Sequence, residues 1–118
     1  MVVDDEVSIR DLLTKSLGER GSIVTTAESG AAALQILTAV RPDVVLLDVQ
    51  MEGLDGLQTL RQIVTHYPTL PVVMLTGHGD RDAVALALEI GARDYVAKSM
   101  LDDLAEVLSL HVSFTGGS

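Results

Sequence analysis

Val44-Val45-Leu46-Leu47-Asp48 is a run of aliphatic side chains closed by one carboxylate. A strand with one solvated face would alternate apolar and polar residues. This run does not, so it reads as a central parallel strand covered by helices on both faces. Val72-Val73-Met74-Leu75, ending at Thr76, repeats the pattern. Parallel neighbours need long crossovers, and the intervening residues have helical spacing. After Asp48 and a loop holding Gly53, Asp55 is placed to cap a helix with Leu57, Leu60, Ile63 and Val64 on one face, broken at Tyr67-Pro68. After Thr76, Gly77-His78-Gly79 turns, Asp80 caps, and Ala83, Val84, Ala87 and Leu88 mark a helix closing at Gly91.

The same alternation extends to both ends. Val2-Val3 is a stub of strand stopped by Asp4-Asp5-Glu6, and Ile9, Leu12, Leu13 and Leu17 then form one helical stripe with Gly21 as its left-handed cap. Ile23-Val24-Thr25-Thr26 is short and β-branched, hence strand. Ser29 caps the next helix, whose apolar side carries Leu34, Ile36 and Leu37, and which runs to about Val40 before Arg41-Pro42. Tyr95-Val96-Ala97 is a fifth strand ending at Lys98, and Leu101, Leu104, Val107 and Leu108 mark a last helix. Five βα units predict an α/β fold with a parallel sheet. The expected domain spans residues 1–114, with 115–118 as a tail or the start of a linker.

Composition narrows the function classes. The chain has 118 residues, 47% of them apolar, enough for one core. A formal charge of −9 repels nucleic acid and anionic membranes, so this segment is not expected to bind either directly. Without cysteine there is no disulfide, thiolate metal site or thiol nucleophile. No apolar run approaches the roughly 20 residues of a membrane span. A soluble, cytoplasmic chain is the expectation.

The chemistry lies at the strand ends. Asp4, Asp5, Asp48, Thr76 and Lys98 all fall at or just past the C-terminal end of a predicted strand, the edge where open α/β sheets place ligands. Taken singly, Asp4 and Asp5 also read as helix-capping acids, Asp48 as a loop acid, Thr76 as an ordinary strand end and Lys98 as a surface charge. Taken together, three carboxylates in one cleft repel, a pair at ~4 Å costing about 4 kcal/mol at an effective dielectric near 20. A hard cation such as Mg²⁺ compensates, since it prefers oxygen ligands. With two acids on the metal, Asp48 is left as a nucleophile toward a phosphoryl group, and Lys98 and Thr76 can pair with its oxygens.

With these motifs the chain resembles the response-regulator receiver domains of two-component signalling over essentially its whole length. The resemblance is carried by Val3-Asp4-Asp5-Glu6, Leu47-Asp48-Val49-Gln50-Met51 with Asp55-Gly56, Met74-Leu75-Thr76-Gly77, and Gly91-Ala92-Arg93-Asp94-Tyr95-Val96-Ala97-Lys98. It implies a five-stranded flavodoxin-like parallel sheet in the order 2-1-3-4-5. It also implies that Asp48 takes phosphate from a histidine kinase or histidine phosphotransfer protein. Asp5 would ligate Mg²⁺ directly, Asp4 through water, Asp48 itself and the backbone carbonyl of Gln50 completing the set. Thr76 resembles the switch hydroxyl and Tyr95 the switch aromatic, which together alter the face made by the fourth helix, fifth strand and fifth helix. That face would serve an output domain or a homodimer. By the same resemblance the Gln50 and His78 side chains flank the hydrolytic water and tune the lifetime of the phosphoryl group. Its catalysis would be confined to its own phosphorylation and dephosphorylation.

The sequence departs from the family pattern at three points. Ser99 follows Lys98 where many receivers have proline, Glu52 replaces a frequent proline after Met51, and only three residues precede Asp4, which suggests a clipped first strand. The alternatives are an Mg²⁺-dependent aspartyl phosphatase, a flavodoxin-like cofactor binder and a degenerate receiver used only for docking. The phosphatase signature wants alternating acids after the first strand, and a flavin site wants Ser, Thr or Gly amides where three acids stand here. His66 and His111 sit near predicted helix ends and receive no catalytic part.

Overall fold

The computed structural model describes residues 1–51, 55–77 and 79–111. Its elements are β1 (Val2–Val3), α1 (Val7–Glu19), β2 (Thr26–Ala27), α2 (Gly30–Leu37), β3 (Val45–Asp48), α3 (Gly56–His66), β4 (Val72–Thr76), α4 (Arg81–Ile90) and β5 (Asp94–Ala97), then a 3₁₀ segment over Lys98–Asp103 and α5 (Leu104–Ser109). The strands form one parallel sheet in the order β2-β1-β3-β4-β5, as the resemblance implies.

The uninterrupted apolar strands are explained by two separate cores. Val3, Val45, Leu47, Val72 and Met74 face one layer, into which α2, α3 and α4 send Leu37, Leu60, Ile63 and Ala87. Val2, Leu46, Val73, Leu75 and Val96 face the other, with Leu13 and Leu17 of α1 and Leu104 and Leu108 of α5. Successive side chains point to opposite faces, so both parities must be apolar.

Several predicted helix ends are present in atomic detail. Ser29 Oγ accepts from the Ala32 N–H at 3.1 Å. Asp55 Oδ1 accepts from the Gln58 N–H at 2.8 Å while the Asp55 N–H donates to Gln58 Oε1 at 3.3 Å, a reciprocal box at the start of α3. At the end of α1 the Ser22 N–H reaches the Leu17 carbonyl and the Gly21 N–H that of Gly18, with Gly21 at φ +89°.

Five expectations need correction. The second strand is Thr26–Ala27, not Ile23–Thr26, and Ile23 is 99% exposed. Among the described residues β2 pairs only with β1, whose two residues can support no longer ladder. Leu12 is exposed, because the buried line on α1 runs through Leu13 and Leu17, and Leu12 stands about 100° round the helix from Leu13. α2 stops at Leu37, with Thr38 to Val40 continuing as turns on the carbonyls of Gln35 and Ile36. Asp80 precedes α4 but its side chain caps nothing, since its backbone at φ −90° and ψ 16° is not the extended form a capping side chain needs. The last helix is also shorter than its apolar spacing suggests, because Leu101 falls in the 3₁₀ segment.

Gly56 joins the fold to the rim. A Cβ there would stand 2.0 Å from the Asp48 carbonyl oxygen and 2.6 Å from that of Val49, so α3 starts tight beneath the end of β3. Gly18, in α1, has nothing within 4 Å of such an atom. Gly56→Ala is expected to lower stability by about 2–4 kcal/mol, as backbone overpacking does. Gly18→Ala should raise it by about 0.5–1 kcal/mol through helix propensity. Urea midpoints of the two variants against wild type check both signs.

Candidate functional site

The parallel register brings the ends of β1, β3, β4 and β5 to one edge, with Asp48 beside Leu75 and Thr76 beside Ala97. Four side chains from three distant parts of the chain meet there. Lys98 Nζ lies 3.0 Å from Asp4 Oδ2, 3.2 Å from Asp48 Oδ2 and 2.8 Å from Glu6 Oε1. Asp4 is fully buried and Asp48 is 3% exposed, so two carboxylates share one ammonium away from water.

The remaining oxygens are held locally. Asp4 Oδ1 accepts from the Glu6 N–H at 2.9 Å, and Asp48 Oδ1 accepts from the Gln50 N–H at 3.1 Å. Arg10 of α1 donates through Nη1 to the Asp4 carbonyl at 2.7 Å. Asp4 Oδ2 is in charge contact with Lys98 but accepts no aligned hydrogen bond, leaving a buried anionic oxygen under-satisfied.

Burial, followed by repulsion from Asp4, raises the Asp48 carboxyl from an ordinary 3.8 to about 6; the Gln50 N–H and Lys98 pull the other way without restoring it. Burial works against the Lys98 charge, but contacts with Glu6 and Asp4 and the nearby charge of Asp48 outweigh it, and its pKa is raised. Lys98 is therefore a fixed cation facing more negative charge than it neutralises.

Carboxylate oxygens of Asp4, Asp5 and Glu6 lie within 4.8 Å of one another. An oxygen-only donor set that includes an under-satisfied buried carboxylate suits a hard divalent cation. Of the residues singled out in the sequence, Asp4 and Asp48 both contact Lys98, and Asp5 belongs with Asp4 to the acidic group at the same edge. Thr76 is buried at the same edge. Gln50 joins through its backbone, while its side chain donates to Asp80 Oδ1 at 2.8 Å. Tyr95 does not join the cluster; it lies on β5 with half its surface exposed. His78 lies outside the described residues.

Sequence reasoning missed two residues here. In the sequence Glu6 stands only as part of an acidic stop, yet it makes the shortest contact to Lys98. Asp80, placed by the sequence as a cap, instead bridges two loops. His111 pairs with Asp94 at 3.1 Å, away from the acidic cluster.

The sequence pattern of the family described as response regulator receiver domain matches residues 1–109. The chain is 44% identical over 109 residues to the DNA-binding transcriptional regulator NtrC of Escherichia coli K12, covering 92% of this chain and 23% of that protein. It thus spans about a quarter of the length of such curated relatives. The receiver domain of NtrX from Brucella abortus is similar in structure with a TM-score of 0.89 at 39% identity, over 93% of this chain and 94% of that one. The response regulator protein TrrA of Thermotoga maritima, solved in complex with Mg²⁺ and BeF, has a TM-score of 0.84 at 34% identity, over 94% of this chain and 96% of that one.

The raised carboxyl of Asp48 makes the acidic rim a source of instability. A folded-state pKa above the unfolded value means the ionised form is disfavoured by folding, a cost complete above about pH 6 and relieved as pH falls toward 3.8. Asp48→Asn is expected to stabilise the metal-free protein by about 2–3 kcal/mol at pH 7.5, with the gain shrinking steadily toward pH 4.5. Urea unfolding of both proteins in chelator across that pH range measures the difference.

Proposed function

The chain belongs to the family of response regulator receiver domains of two-component signalling, and on that premise we propose that Asp48 is its phosphoacceptor and the Asp4-Asp5 rim its Mg²⁺ site. The observation that carries this reading is the buried Asp48 carboxylate at the end of a central strand, with Lys98 at 3.2 Å and the acidic group of Asp4, Asp5 and Glu6 nearby. Receiver domains generally bind Mg²⁺ at an acidic pocket. Here Asp5 would hold it directly, Asp4 through water, and Asp48 and the Gln50 carbonyl would complete the protein's share. When bound, the ion neutralises charge on the transferring group.

The steps assigned to this chain's own groups are few. A carboxylate oxygen of Asp48 attacks the phosphorus of a phosphohistidine. The P–N bond breaks as the new P–O bond forms, and the leaving imidazole takes up a proton. The Lys98 ammonium, already in contact with Asp48 Oδ2, follows the charge onto the phosphoryl oxygens, and the Thr76 hydroxyl donates to another of them. Later attack of water releases phosphate and restores the carboxylate. Gln50 and His78 are assigned the tuning of that second step, and the domain turns over no external substrate beyond its phosphodonor.

The readout proposed is a population shift in which Thr76 and Tyr95 rearrange together and change the α4–β5–α5 face. Tyr95 is half exposed in the present arrangement, which leaves its ring a direction in which to move inward. The partners implied are a sensor histidine kinase or a histidine phosphotransfer protein, and an output module or a second copy that reads the altered face. A cytoplasmic location goes with those partners, and among the described residues no helix is long and apolar enough to cross a membrane.

Incubation with acetyl phosphate and Mg²⁺ tests the assignment by intact mass. Wild type should gain one phosphoryl group, Asp48→Asn none, and Lys98→Ala should label at least about tenfold more slowly, the loss of one charged contact to the transferring group. Chelation of Mg²⁺ should abolish the gain. Label that persists in Asp48→Asn would place the acceptor elsewhere.

A further inference from the structure

Asp80 does not cap α4, and its carboxylate is employed elsewhere. It is 8% exposed, with Oδ1 accepting from Gln50 Nε2 at 2.8 Å and Oδ2 from the Gly77 N–H at 2.6 Å. Because a carboxylate only accepts, the Gln50 amide must present its NH₂ to it. Among the described residues Asp80 takes part in no ion pair, so its buried charge rests on these donors.

The two donors belong to different loops. Gln50 follows β3 and donates its own N–H to Asp48 Oδ1, and Gly77 directly follows Thr76 at the end of β4. A hydrogen-bonded path therefore leads from the Asp48 carboxylate through residue 50 and Asp80 to the peptide after Thr76. Charge-assisted bonds to a buried carboxylate are among the stronger ones available to a loop.

We propose that Asp80 is a positioning residue that ties the loop after β3 to the loop after β4 and so restrains Thr76 in its present arrangement. This deepens the reading of Asp48 as phosphoacceptor and rests on it. A phosphoryl group that draws the Thr76 hydroxyl toward residue 48 works against the tie, so the strength of the tie sets part of the balance between the two arrangements. Weakening it raises the share of molecules already arranged to receive the group.

The test uses Gln50→Ala, Asp80→Ala and the double variant in the 118-residue chain, with two readouts. The first is hydrogen exchange of the Gly77 amide by NMR, with no phosphodonor present. The second is the initial rate of labelling by acetyl phosphate and Mg²⁺. In Gln50→Ala the Gly77 amide should exchange at least about threefold faster, although residue 50 is not its acceptor. Each single variant should label about three- to tenfold faster, the span expected from losing one hydrogen bond, and the double variant no faster than the quicker single. Unchanged Gly77 exchange in Gln50→Ala overturns the tie, and Gln50→Ala removes only an exposed side chain if Asp80→Ala fails to fold. Faster exchange with wild-type labelling rates, or labelling effects that multiply in the double variant, overturns the restraint on Thr76. A wild type that takes no label overturns the phosphoacceptor reading itself, and the exchange readout still judges the tie.

Discussion

Two buried carboxylates that share one ammonium set the terms for the rest of this molecule. Asp4 and Asp48 leave water for the edge of the sheet, and Lys98 answers both while also meeting Glu6. Desolvation of such ions costs several kcal/mol each, and one cation against three acids does not recover it. The residue of that imbalance is visible as the raised carboxyl of Asp48 and the under-satisfied Oδ2 of Asp4. A surface free to relax would separate these groups. The sheet does not let it, because Val2-Val3, Val45 to Asp48 and Asp94 to Ala97 are each clamped in a parallel ladder.

The same constraint accounts for how the rim is held. β3 and β4 are packed between two apolar layers, and α3 begins against the Asp48 carbonyl with no room for a side chain at Gly56. The anchoring ends of the site are thus held by close packing, which responds to strain by switching between discrete arrangements rather than by bending smoothly. Past the strand ends the backbone is held instead by side-chain bonds such as those of Asp80 to Gln50 and the Gly77 N–H.

Residues whose placement follows from strand position are legible in the sequence. Asp48 ends a run that could only be a central strand, and Asp4, Thr76 and Lys98 end runs of the same kind, so parallel topology alone puts them on one edge. Caps at Ser29 and Asp55 were legible because the bond partner is three residues away. Ile23 and Leu12 were misread for the converse reason: β propensity could not reveal that β1 offers only two residues to pair with, nor could a helical stripe reveal which of two adjacent leucines meets the sheet.

The linear chain by itself determined the alternation of apolar strands and helices, the parallel sheet they require and the identity of the acids and the lysine at its rim. Those follow from periodicity and polarity, which act over a few residues. Only the tertiary structure decided that Glu6 would compete for Lys98, that Asp80 would abandon α4 for Gln50 and Gly77, and that Asp48 would be hard to ionise. Each of these depends on distance and burial between groups remote in sequence, quantities that come into existence only when the chain is packed.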